Sequence, residues 1–138
     1  MGSYSSERQE QTLPRDIINP PGLPAENPTY SQAIRANGFV FVAGQIGTMP
    51  GTGKLVSDDI AEQARQALHN TATILEAAGS SLSKVVSSSL FLTEFDQLSR
   101  VNAVYSKYFP QEGPAKFACG VTALYGGAKF EIQVIALA

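Results

Sequence analysis

Gln32-Ala33-Ile34-Arg35-Ala36-Asn37-Gly38-Phe39-Val40-Phe41-Val42-Ala43 is the stretch whose reading decides the fold. Two β-prone runs flank Asn37-Gly38, and both central residues of a two-residue type I′ turn need positive φ, which Asn and Gly adopt at least cost. The stretch therefore predicts a β-hairpin. Its second arm, Phe39 to Val42, is apolar at every position, the pattern of a strand buried on both faces. Upstream, Asn19-Pro20-Pro21-Gly22-Leu23-Pro24 and Asn27-Pro28 cannot hold regular structure for long. A short strand and a long loop precede the hairpin, and residues 1–13 read as a polar tail ahead of one domain over 14–138.

Downstream the period changes. Asp59, with Glu62 three positions on, forms an acidic analogue of the capping box, and Ile60, Ala64, Ala67, Leu68, Ile74 and Leu75 then recur at helical spacing until Gly79. Lys84 to Thr93 contains Val85-Val86 and Leu90-Phe91-Leu92, β-formers that predict a strand. A second helix is expected from Leu98, Val101, Val104, Tyr105 and Phe109, capped near Asp96 and stopped by Pro110. The last two runs alternate, with Tyr125-Gly126-Gly127 turning between them. Phe130, Ile132, Val134 and Ala136 point one way, leaving Lys129, Glu131 and Gln133 on the other face. In the run before, Phe117, Cys119, Val121 and Ala123 form the apolar set, opposite Lys116, Ala118, Gly120 and Thr122. If both apolar sets meet the helices, Lys116 and Glu131 share the helix-free face and Cys119 points into the core.

The expected order is β-β-β-α-β-α-β-β, an α+β domain with two helices on one face of a mixed sheet. Charged residues are only 16% of the chain, below the roughly 25% of average soluble domains. The strands are rich in Val, Ile and Phe, so the uncovered face is expected to meet copies of itself, with a binding pocket at the boundaries.

The inventory excludes several chemistries. Cys119 is the single cysteine and His69 the single histidine, so an internal disulfide and a four-ligand zinc site are both ruled out. His69 lies in a helical pattern, a poor place for a lone catalytic base. Gly44 to Lys54 is glycine-rich, but Walker A spacing needs Gly where Thr48 stands and Ser or Thr where Leu55 stands. It reads as a turn. Ten basic against twelve acidic residues, with neither sign blocked together, leave no footprint for a nucleic acid. No run of about 18 apolar residues exists, which excludes a spanning helix. Met1-Gly2-Ser3-Tyr4-Ser5-Ser6 fits a loose myristoylation pattern and equally a polar tail. No secretory or mitochondrial leader pattern is present, so the expected location is cytoplasmic.

Five motifs in order then carry a resemblance: Tyr30-Ser31-Gln32-Ala33, Val42-Ala43-Gly44-Gln45-Ile46-Gly47, Val101-Asn102-Ala103-Val104-Tyr105, Pro114-Ala115, and Glu131-Ile132-Gln133-Val134-Ile135-Ala136. Across about Asp16 to Leu137 the chain resembles the Rid, or YjgF-type, family of reactive-intermediate deaminases. The resemblance implies a chorismate-mutase-like fold and a homotrimer whose sheets form a central barrel, with three pockets at the interfaces. It further implies hydrolysis of enamines and imines such as 2-aminoacrylate to a 2-keto acid and ammonia, with no metal or cofactor. Matched by motif, Glu131 is the acid that positions water, Tyr30 the aromatic wall, Gly44 the backbone contact and Asn102 the interface amide.

Two positions depart from the family pattern. Lys116 stands where the family holds the substrate carboxylate with an arginine, and Ala118 stands where it often has cysteine. A lysine is a point charge with rotatable donors rather than a planar fork, so the exchange is not conservative. Lys116 therefore has three readings: an anchor for an anionic group, an amine of lowered pKa acting as base or Schiff-base nucleophile, or a plain ammonium beside Glu131. The functions to weigh are an imine or enamine deaminase, a Rid-like enzyme recruited to a larger imine, and a non-catalytic trimer that binds a metabolite or protein.

Overall fold

The protein is described by a computed structural model over residues 14–138. The polar segment 1–13, with its Met-Gly pattern, lies outside the described residues. The elements are β1 (Asp16–Ile18), β2 (Ala33–Ala36), β3 (Phe39–Val42), β4 (Gln45–Ile46), α1 (Ile60–Ala77), β5 (Val85–Leu92), α2 (Leu98–Tyr108), β6 (Ala115–Gly120) and β7 (Phe130–Leu137). The strands form one mixed sheet in the order β1-β2-β3-β7-β5-β6, with β4 paired to β7 and only β5–β6 parallel. This is the expected α+β architecture with one addition. The two-residue β4 had read as part of a glycine turn, and it pairs Gln45 with Ile132 and Ile46 with Glu131.

The hairpin forms where Asn37-Gly38 predicts it, with φ of 53° and 84°. Its second arm differs from expectation, since Val40 and Val42 are buried while Phe39 and Phe41 are 36% and 43% exposed. The helices cover one face of β3 only. Asp59 caps α1 by accepting from the Glu62 N–H at 3.1 Å, but its own N–H donates to Ser57 rather than to Glu62, so half of the capping box is made. Gly79 ends the helix at φ 80°, where only glycine avoids a Cβ penalty. Asp96 does not cap α2; it lies in a single 3₁₀ turn, Phe95–Gln97, and no side chain caps the helix.

Phe130, Ile132, Leu90, Leu92, Leu68 and Ile74 are fully buried between the sheet and the helices. Buried polar groups in α1 are all engaged. Gln63 donates to Ser57 O at 2.9 Å and accepts from Lys129 N at 2.8 Å, and Asn70 donates to Thr48 O at 2.8 Å. These bonds fasten the 47–57 segment and the start of β7 to the helix, and so set where β4 and Glu131 lie.

Candidate functional site

Glu131 follows the alternation of β7. Its neighbours Phe130 and Ile132 are buried on the helix side, so its carboxylate emerges on the other face, opposite Ile46 on β4 and Phe91 on β5. Just before β4, a Cβ on Gly44 would overlap the Glu131 carboxylate. Glycine at that position lets the carboxylate lie against the backbone. The loop above is held by a buried amide pair, Gln45 donating to Gln32 Oε1 at 2.9 Å and to Ala43 O at 3.0 Å. Asn19 Oδ1 accepts from Gln32 N at 2.9 Å, and Tyr30 Oη accepts from the Glu26 N–H at 3.1 Å. The result is a cavity of about 320 Å³ with Tyr30, Gly44, Glu131, Gln45, Tyr125 and Glu26 in its wall.

Among the described residues no hydrogen bond or ion pair engages the Glu131 carboxylate. Lys129, two residues before it, is drawn to Glu94 at 3.5 Å and Asp58 at 3.7 Å instead. Burial pushes the Glu131 pKa up from its ordinary value, because removing water disfavours the charged form. A carboxyl group of this kind accepts and returns protons closer to neutrality.

Lys116 lies elsewhere. The parallel register of β6 on β5 sets Lys116 opposite Ser88, Ala118 opposite Leu90 and Gly120 opposite Leu92, and Ser88, Leu90 and Leu92 are buried on the helix side. Lys116, Ala118 and Gly120 thus face the helices, while Phe117 and Cys119 face away, Phe117 meeting Phe91 edge-on at 6.0 Å. The expectation that Lys116 and Glu131 share a face is overturned, and so is the placing of Cys119 in the core. The cause is spacing. A Cβ on Gly120 would meet Phe95 of the 3₁₀ turn at 3.3 Å, and Ala118 packs directly on the core, so only small side chains fit under β6 at positions 118 and 120, while Lys116 reaches out at the other end of the strand. Ala118 is accordingly a packing residue and does not line the Glu131 cavity.

At the open edge of the sheet the Lys116 ammonium donates to Asn102 Oδ1 at 2.6 Å and sits 4.4 Å from the centre of the Tyr105 ring. Tyr105 is itself fixed by a 2.7 Å bond to Ser88 Oγ. Partial desolvation pulls the Lys116 pKa down. Within one chain, then, Tyr30, Gly44 and Glu131 come together, and Lys116 and Asn102 come together. The two groups lie on opposite faces of the sheet. His69 is exposed on α1 and belongs to neither. Gln32 and Gln45 escaped the sequence reading as scaffold of the pocket, although both stand in its motifs; Glu26 gave no sequence signal, and Tyr125 read only as part of a turn.

A family model described as Endoribonuclease L-PSP matches residues 23–138. The chain belongs to this family, the Rid family. The human 2-iminobutanoate/2-iminopropanoate deaminase is a Rid relative 37% identical over 126 residues, covering 91% of this chain and 92% of that protein. The Arabidopsis thaliana chloroplastic Reactive Intermediate Deaminase A is 39% identical over 125 residues, 91% of this chain and 67% of that protein. Among solved structures, the conserved Rid-family protein YyfA of Yersinia pestis superposes with a TM-score of 0.84 at 39% identity, covering 90% of this chain and 99% of the other. The Rid fold therefore spans nearly all of the described residues. No helix among them is long and apolar enough to cross a membrane.

Proposed function

We propose that this chain hydrolyses reactive 2-imino acids, and the enamines that tautomerise to them, to a 2-keto acid and ammonia. The observation that carries the reading is the Glu131 carboxylate, unpartnered in a cavity and cleared by Gly44. The names of the Rid relatives support the reaction class. An enamine first takes a proton at C3 and gives up an N–H proton, becoming the imine. Glu131 then removes a proton from water as the oxygen attacks C2, and the C=N bond becomes a C–N single bond. The carboxyl returns that proton to nitrogen to give the carbinolamine, and it then relays the hydroxyl proton to the same nitrogen as the C–N bond breaks, leaving C=O and ammonia. Among the described residues the cavity wall holds two carboxylates, Glu26 and Glu131, and no Lys, Arg or His. That sign suits an iminium nitrogen and disfavours a phosphodiester.

A 2-imino acid also carries a carboxylate, which this wall cannot pair. We assign that role to Lys116 of a neighbouring copy in a homotrimer, which completes each site across a boundary. The arrangement reconciles the two separated half-sites, and it covers the face that exposes Phe41 and Phe117. With one ammonium in place of a guanidinium fork, Lys116 holds the anion as a point charge.

Ammonia release from freshly generated 2-iminopropanoate and 2-iminobutanoate tests the reaction. Mixing tests the split site. Glu131→Gln and Lys116→Ala are each expected to be inactive alone, yet subunit exchange between them should restore activity at about a quarter of the sites, since only pairings with an intact Glu131 facing an intact Lys116 are whole. If both residues served one chain's site, mixing would restore nothing. Full turnover by Glu131→Gln would leave only a binding role.

A further inference from the structure

The hydrolysis uses one of the two carboxylates in the cavity wall; the other, Glu26, is held just as deliberately. Glu26 stands in the loop between β1 and β2, and its Oε2 accepts a 3.0 Å hydrogen bond from Tyr125 Oη, joining segments 99 residues apart. Tyr125 is 70% exposed on a turn whose Gly126 and Gly127 both take positive φ. An exposed tyrosine there has no packing reason to lean over the cavity, so the bond to Glu26 is what directs it. The negative charge is felt by the phenol, whose pKa is raised chiefly by that hydrogen bond. One Glu26 oxygen remains for a ligand. Glu26 also stands on the partition to a second cavity of about 360 Å³, whose wall includes Leu23, Pro24 and Met49.

We propose that Glu26, oriented by Tyr125, determines the side-chain specificity of the site and that the preferred substrates are 2-imino acids with a cationic side chain, an ammonium or guanidinium. The inference rests on the proposed function for the orientation of the substrate. With the carboxylate on Lys116 of a neighbouring copy and C2 beside Glu131, the side chain is left to run along the wall that ends in Glu26. A methylene stem lies against Tyr30 and Ile46, residues of that wall, and a terminal cation meets the free Glu26 oxygen. An anionic side chain would meet two carboxylates with no counter-charge. Because Tyr125 fixes the Glu26 rotamer beforehand, less freedom is lost when the cation binds. Glu26 is exposed, so solvent screens the pairing and the discrimination is about fivefold rather than several hundredfold.

The test compares the imines of arginine and of citrulline, close in shape and differing in charge, each generated in place by an amino-acid oxidase. For the natural chain the ratio of kcat/KM, arginine-derived over citrulline-derived, is expected to be about five at low salt and to decline as salt is added. Glu26→Gln keeps an acceptor for Tyr125 and should bring the ratio to about one, and Tyr125→Phe should lower it part of the way. A natural ratio at or below one, or a ratio that Glu26→Gln leaves unchanged, overturns the inference. A second readout is independent of turnover: binding of unreactive arginine and citrulline by calorimetry. If no imine is hydrolysed while arginine still binds better and Glu26→Gln abolishes the difference, the deaminase reading falls and the specificity stands. If neutral imines are hydrolysed with no cation preference in either readout, the reverse holds.

Discussion

Glu131 and Gly44 act as one unit at the level of single residues. Substituting Gly44 with alanine places a methyl group where the carboxylate lies, and the obstacle is the end of a flexible side chain, so the fold should yield little. Turnover of 2-iminobutanoate is expected to fall by about tenfold or more in Gly44→Ala and by about 10²- to 10⁴-fold in Glu131→Gln, with melting curves close to the natural chain. Glu131 also has a signature in pH. Its folded-state pKa is raised by burial from 4.5, so the folded state binds the proton more tightly than the unfolded one. Its contribution is present below 4.5 and is lost as pH rises through the raised value. In a Lys116→Ala background, where no ammonium offsets the burial, the melting temperature should fall over that window, and adding Glu131→Gln should remove the fall. The site residues Tyr30, Gly44, Asn102, Lys116 and Glu131 were legible in the sequence as motif positions. Their grouping was not, because contact between residues far apart in the chain depends on register.

At the scale of elements, two glycines three positions apart make a useful contrast. A Cβ on Gly47 would overlap the backbone of Gln63 in α1, an obstacle that cannot rotate away. Gly47→Ala should cost about 1–3 kcal/mol in denaturant unfolding, far more than Gly44→Ala, and should reduce turnover by shifting β4 off β7. In β7 itself Phe130 is fully buried, and Phe130→Ala should cost about 3–5 kcal/mol. The faces of β7 could be read because one side is uniformly apolar and the other is not. β6 offers no such contrast: aromatic Phe117 and small Ala118 are both compatible with a core. Periodicity says that they point oppositely, and the closeness of the helix layer decides which one goes inward.

For the whole molecule the open question is what meets the helix-free face, where Ile17, Phe41, Phe117 and Leu137 are 58%, 43%, 53% and 47% exposed. An apolar stripe of this kind on a folded chain is an interaction surface, and copies of the chain are our proposed cover. Phe117→Asp should shift the mass measured by light scattering toward the single chain. It should lower turnover in parallel, because Glu131 and Lys116 then no longer meet. A variant that stays assembled and active would sink the shared-site reading.

The chain alone determined its hairpin, both helices, the alternation of its last two strands and its family, since turn chemistry, period and motif order are local properties. Only the tertiary structure decided that β4 pins Glu131 beside Gly44, that Lys116 turns toward Asn102 and Tyr105, and that Glu26 and Tyr125 close over one cavity. Those outcomes depend on how near one layer lies to another, and that distance emerges only when all the side chains pack together.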